Sequence, residues 1–184
     1  MNKSKKVPMD TKELLASLEK DARRISNNDI MKARSFMLNY VKFLPEKYKK
    51  AYSTELFSYY YETFMEIKGL RSNPVIEEID IETYNELVKN YSQQFNEDPL
   101  ESYFQRFMSV VTPYLIFITK KPLHPVGMIL PGGMTIMEPN GEYYCPIKNK
   151  QTEVDIALCK YCICKDNEEV VKTDRYMCGK SFRY

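Results

Sequence analysis

A chain of 184 residues, 43% apolar and 28% charged, is long enough for one packed domain, or a domain with a small appendage, and has ordinary globular composition. Its 27 basic and 25 acidic residues leave a formal charge of +2, so it lacks the basic footprint of a nucleic-acid or anionic-membrane binder. No stretch approaches the ~20 consecutive apolar residues of a membrane span. The start, MNKSKKVPMDTKELL, has no apolar core of a secretory signal. The expected setting is therefore the cytoplasm, where five cysteines read as thiols or metal ligands rather than as a disulfide framework.

Residues 1–119 read as helices. Asp10 caps the first, with Glu13 at capping-box spacing, and Leu14, Leu15, Leu18, Ala22 and Ile25 share its face. The second runs from about Asp29 to Phe43, with Ile30, Ala33, Met37, Tyr40 and Leu44 as its stripe, and stops at Leu44-Pro45. Pro45 then suits the first turn of a third, long helix over 45–69, ended by Gly69. Its aromatic run, Phe57, Tyr59, Tyr60, Tyr61 and Phe64, suggests a central helix touched on several sides. A stacking platform for bases would want interleaved Lys or Arg, and here the neighbours are Glu55, Glu62 and Glu66.

After a connector over 70–79, Asp80 caps a fourth helix with Ile81, Tyr84, Leu87, Val88, Tyr91 and Phe95 inward. Asp98 and Pro99 open a fifth, burying Leu100, Tyr103, Phe104, Phe107, Met108 and Val111. Pro113 is expected to kink it before the helix resumes over 114–119. Short connections between amphipathic helices give a mainly α fold, an antiparallel bundle of about five helices.

At Lys120 the pattern changes. Pro122, Pro125, Pro131 and Pro139 alternate with Gly127, Gly132, Gly133 and Gly141, and long helices are no longer allowed. Pro131-Gly132-Gly133 suits a tight turn. Residues 134–138 and 142–145 flank Asn140-Gly141, a hairpin signal. A short helix over 152–158 follows, and the chain divides into a bundle (1–119), a Gly/Pro-rich hairpin and metal-binding module resembling a zinc knuckle (120–164), and a charged tail (165–184).

The chemistry concentrates in that module. Cys159-x-x-Cys162 can turn two thiolates toward one metal. Cys145 follows the hairpin, and His124, the single histidine, opens the Gly/Pro loop. His124, Cys145, Cys159 and Cys162 together form a chemically reasonable Cys3His set for Zn²⁺ that would hold a loop-rich module together. Cys164 competes for a place, and four thiolates would suit Zn²⁺ or an iron–sulfur cluster. The bland alternative is reduced, inert thiols in a small core with an exposed or hydrogen-bonded His124. A zinc deaminase would need His-x-Glu and Pro-Cys-x-x-Cys, and neither is present. Cys178-Gly179-Lys180-Ser181 lacks the upstream glycine and strand of a phosphate loop.

The ordered series His124-Pro125-Val126-Gly127, Pro131-Gly132-Gly133, Tyr143-Tyr144-Cys145-Pro146 and Ala157-Leu158-Cys159-x-x-Cys162 resembles an archaeal family known as domain of unknown function 2115, found mainly in methanogens. The resemblance implies an archaeal, anaerobic, cytoplasmic setting and carries over no catalytic residue. The combined reading is a non-enzymatic helical domain with a structural zinc site that serves binding to another protein. A closed four-ligand site with His124 engaged leaves no general base and no open metal position. The second reading is an iron–sulfur or metal-handling redox accessory protein using the clustered cysteines. Nucleic acid is not the expected partner: the clusters Lys47, Lys49, Lys50 and Lys172, Arg175, Lys180, Arg183 read as solvated faces.

Overall fold

The computed structural model describes residues 7, 10–69, 74–93, 98–151 and 157–166. Among these the fold is mainly helical. Helix α1 (Thr11–Ala22) begins where the Asp10 carboxylate accepts the Glu13 amide at 2.7 Å. Leu14, Leu15, Leu18 and Ala22 are buried along it, and Ile25 is buried in the following turn, as the spacing predicts.

Helix α2 (Asn27–Val41) opens on a reciprocal cap. The Asp29 amide donates to Ser26 Oγ, and the Ser26 amide donates to the Asp29 carboxylate. Both groups relieve amides that have no partner within the helix. Ser26→Ala should therefore cost about 1 kcal/mol, seen as a lower urea midpoint with an unchanged slope. Ile30, Ala33 and Met37 are buried, but Val41 completes the stripe, and the expected Tyr40 is 61% exposed. Val41 lies one full turn beyond Met37, where the helical period returns to the core.

The long third helix forms as three continuous pieces: α3 (Glu46–Lys50), a π-helical segment (Ala51–Leu56) and α4 (Phe57–Lys68). Pro45 is its N-cap, one position earlier than expected. Tyr48, Phe57, Tyr60, Phe64 and Ile67 are buried, so much of the aromatic run is core. Helix α5 (Ile81–Gln93) follows Asp80, whose carboxylate accepts from both the amide and the hydroxyl of Thr83. It buries Tyr84 and Leu87, while the expected Ile81 and Val88 keep substantial exposure. Phe95 lies outside the described residues.

Helix α6 (Pro99–Pro113) is capped by Asp98, which accepts the Leu100 amide at 2.8 Å. The kink expected at Pro113 is a second π-helical segment (Tyr114–Ile118) instead. Proline has no N–H to donate, and the chain continues in a wider turn, with the Thr119 amide reaching the Tyr114 carbonyl at 3.0 Å. Helix α6 packs against α1, α2, α4 and α5, most extensively along α2. Lys32 donates to the Tyr103 hydroxyl at 2.9 Å, and the Phe36 and Phe104 rings lie 5.4 Å apart. Phe107, with no exposed surface, lies between the rings of Phe57 (5.9 Å) and Phe64 (5.3 Å).

The Gly/Pro-rich region folds onto this body. Met128, Leu130, Ile136, Cys145, Tyr161 and Cys164 belong to the same buried cluster as the helical residues. Gly132 and Gly133 both take positive φ (101° and 81°), the tight turn expected there. The Gly132 amide donates to the Tyr48 hydroxyl at 3.0 Å, fastening this loop to α3.

The expected hairpin is reduced to one antiparallel bridge, Met137 with Tyr144. Between them Pro139–Gly141 form a 3-10 turn, with Asn140 and Gly141 at φ 56° and 79°. Pro139 cannot donate to a ladder, which limits the pairing. The named strands pair elsewhere: β1 (Tyr144–Cys145) runs parallel to β2 (Lys165–Asp166), with Cys145 opposite Asp166. Between them lie a single turn of helix, α7 (Lys148–Gln151), and a 3-10 turn, Leu158–Tyr161. The helix expected over 152–158 falls mostly on 152–156, outside the described residues. No helix among the described residues is long and apolar enough to cross a membrane.

Candidate metal centre

Each candidate donor is placed by a different local device. His124 is in the loop that leaves the second π-helical segment. Cys145 ends β1. Cys159 lies inside the 3-10 turn and Cys162 directly follows it, with the Cys162 amide donating to the Cys159 carbonyl at 3.2 Å. The turn brings Cys159 and Cys162 to the same cavity. Cys164 follows one residue before β2.

All five side chains line one cavity of about 370 Å³ between the helical body and the C-terminal segment. Tyr40, Tyr60, Phe104 and Leu123 contribute its apolar and aromatic wall, and Lys148 adds a cation. The four residues expected as ligands, His124, Cys145, Cys159 and Cys162, therefore share a cavity, together with Cys164. They stand on its walls rather than closed around a point: among the described residues, no group of three or more His, Cys, Asp or Glu is gathered as a metal-holding set. Cys145, Cys159, Cys162 and Cys164 are free thiols. Cys178 lies outside the described residues.

The electrostatics separate the donors. Burial pulls the His124 imidazole down to about 4, so it is neutral near pH 7 with a lone pair available. Its ring meets the Tyr52 ring edge-on, with centroids 6.4 Å apart. Burial also raises Cys145, and Cys159 to about 11. Cys162 is lowered, chiefly because the Cys164 thiol hydrogen-bonds to its sulfur, while the same bond raises Cys164. Cys162 is the more acidic member of this pair.

The backbone N–H groups of Ile147 and Lys148 act to lower Cys145, and those of Leu123 and Cys164 act to lower Cys162. The Lys148 ammonium donates to the carbonyls of Cys162 and Cys164, at 2.8 and 2.5 Å. Of these four thiols only Cys162 is drawn toward the thiolate, the form that binds soft and borderline metals or reacts as a nucleophile.

Two participants, Lys148 and the Leu123 amide, were hidden in the sequence, whereas Cys164 was already a competitor for the fourth place. Cys164 carried a signal, its place two residues after Cys162, but nothing in the letters ranked it above His124. Lys148 had none, because its role depends on the fold returning residues 162–164 to the turn after Cys145. The Leu123 amide is brought in by the course of the chain after Pro122.

The sequence profile described as "Uncharacterized protein conserved in archaea" matches residues 10–167, a stretch that includes His124 and the four cavity cysteines and excludes Cys178. A UPF0305 protein of Methanocaldococcus jannaschii is 39% identical over 165 residues, covering 88% of this chain and 99% of the relative. A UPF0305 protein of Methanococcus maripaludis is 35% identical over 167 residues, covering 88% and 100%. One from Methanothermobacter thermautotrophicus is 27% identical over 164 residues, covering 88% and 99%. No solved structure matches the chain.

Proposed function

Because this chain belongs to the DUF2115 family of uncharacterised archaeal proteins, we propose a role for it from its own residues: a non-enzymatic helical domain whose cysteine cavity takes one Zn²⁺ ion and so fixes a surface for a protein partner. The observation that carries this reading is the convergence of His124, Cys145, Cys159, Cys162 and Cys164 on one cavity. Cys145, Cys159 and Cys162 form the common core of the ligand set, and His124 and Cys164 are the two candidates for the fourth place. Zn²⁺ accepts four such donors in a tetrahedron and supplies folding energy to segments with little core of their own. A closed tetrahedron leaves no position for substrate, which is why the reading is structural rather than hydrolytic. The loop between His124 and Cys145 presents Val126, Ile129 and Met134, 47%, 46% and 39% exposed, as the apolar part of the partner surface.

Metal analysis after anaerobic purification tests the reading. About one Zn²⁺ per chain and no colour are expected. Cys159→Ser should abolish the zinc and speed amide exchange within residues 120–164 while the helical circular dichroism persists. Wild type without zinc, or Cys159→Ser with full zinc and full thermal stability, would overturn it. A second reading, an iron–sulfur cluster, is favoured by the fourth sulfur on the cavity wall. A brown protein carrying several iron atoms per chain would replace zinc with that reading.

A further inference from the structure

We propose that a cleft between helix α2 and the π-helical segment over Ala51–Leu56 binds a phosphate monoester, with the Arg34 guanidinium as its charge partner. The cleft has a volume of about 380 Å³, within the range of pockets that hold small molecules. It shares no lining residue with the cysteine cavity. Arg34, from α2, supplies its charge, and among the described residues no acidic side chain lines it. The guanidinium stands over the Phe57 ring, 5.6 Å from its centroid, and makes no ion pair among the described residues. A cation held on an aromatic face keeps its planar fork of N–H groups for an anion.

The other wall supplies hydroxyls. Ser53 and Thr54 come from the π-helical segment, and Ser58 and Tyr61 from α4. A helical Ser or Thr commonly donates back to the carbonyl four residues before it. Ser35 and Thr63 do so here, onto Met31 and Tyr59. Among the described residues Ser53, Thr54 and Ser58 make no such bond, and the Ser53 and Thr54 oxygens lie 3.5 Å apart, close enough for both to reach one group. A guanidinium fork beside several hydroxyl donors, with no carboxylate among them, suits an oxyanion with more oxygens than the two of a carboxylate. Ile30, Met31 and Phe57 give the cleft an apolar side for an organic body. Met31 is 68% exposed, and a bound ligand would cover its flexible thioether. The cleft also lies where the long helix leaves α geometry, and such wider turns are rare and recur at functional sites.

Phenyl phosphate, titrated into the full-length protein and followed by calorimetry and amide NMR shifts, tests the proposal. Shifts centred on residues 27–34 and 51–61 are expected. Inorganic phosphate should bind more weakly, and benzyl alcohol, a ring without the charge, should not bind. Arg34→Gln should weaken phenyl phosphate by about 10-fold or more. Arg34→Lys should lose less, because it keeps the charge without the fork. Both variants should stay close to wild type in thermal midpoint and metal content, since the position is exposed and lies outside the cysteine cavity. No shift with phenyl phosphate at millimolar concentration, shifts centred on other residues, or an Arg34→Gln variant that binds as wild type does would overturn the proposal. Benzoate bound as tightly as phenyl phosphate would overturn the assignment to phosphate.

Discussion

Phe107→Ala should lower the free energy of unfolding by about 3–5 kcal/mol, a large fraction of the roughly 5–15 kcal/mol that holds a domain of this kind folded. Phe107 has no exposed surface, stacks on Phe57 and meets the Phe64 ring at a tilt, so its ring joins α6 to α4. Removing it deletes the aromatic contacts and leaves a cavity that close-packed neighbours refill only in part. Urea unfolding of wild type and variant measures the difference directly. A loss below about 1 kcal/mol would mean that the site collapses freely and that Phe107 is not the centre of the packing. Tyr61→Ala, at a position 40% exposed on the same helix as Phe57, is the matched control. Its effect should stay within about 0.5 kcal/mol.

The second large effect is a pH dependence of the metal-free protein. His124 titrates near 4 when folded because burial disfavours its cation, against an ordinary value of 6.5. Above pH 6.5 the imidazole is neutral in both states and the full stability is present. As pH falls from 6.5 toward 4, the unfolded chain takes up the proton first, and stability declines; below the folded value the loss levels off. The whole window corresponds to about 3 kcal/mol. The expected result is a wild-type stability that falls across this window and a His124→Gln variant whose curve lacks that component. Parallel curves for the two proteins would show that the His124 ring is solvated when folded. Carboxylates whose own bonds hold them low, Asp29 by Ser26, Asp80 by Thr83 and Glu142 by Lys165, add losses at more acidic pH in both proteins.

Much of the helical body was legible because the forces that set it are local. Asp10, Asp80 and Asp98 announce helix starts through hydrogen bonds that span two or three residues. Leu14, Leu15, Leu18 and Ala22 reveal a buried face by period alone. Tyr40 shows where this fails: an aromatic residue at helical spacing is assigned to the core by pattern, yet Val41 holds the inward position. The C-terminal region was read less well. Asn140-Gly141 correctly signals a turn, but the strands flanking that turn are not the pair that forms the ladder. Tyr144 and Cys145 pair in parallel with Lys165 and Asp166, a partnership 21 residues apart that no local signal encodes. The cysteine cluster was visible as a cluster, and the Lys148 ammonium beside it was not, because the fold delivers it to the carbonyls of Cys162 and Cys164.

The two-phase character of the helix that begins at Glu46 has a mechanical consequence. Upstream of the π-helical segment, Tyr48 receives the Gly132 amide, and within it Tyr52 meets the His124 ring. Downstream, Phe57 and Phe64 grip Phe107. A uniform α-helix turns by a fixed angle per residue and keeps one phase along its length. A wider turn inserts a phase shift, as though one extra residue had been spliced into an otherwise regular rod. That splice lets one rod serve two clients with incommensurate spacing, the aromatic core on one side and the loop over the cysteine cavity on the other. Any rewinding of residues 51–56 into α form would rotate one end relative to the other by about 100°, so core and cavity could not both stay engaged. The segment thus sets the angular offset between Tyr48, which meets the Gly/Pro loop, and Phe57, which meets Phe107.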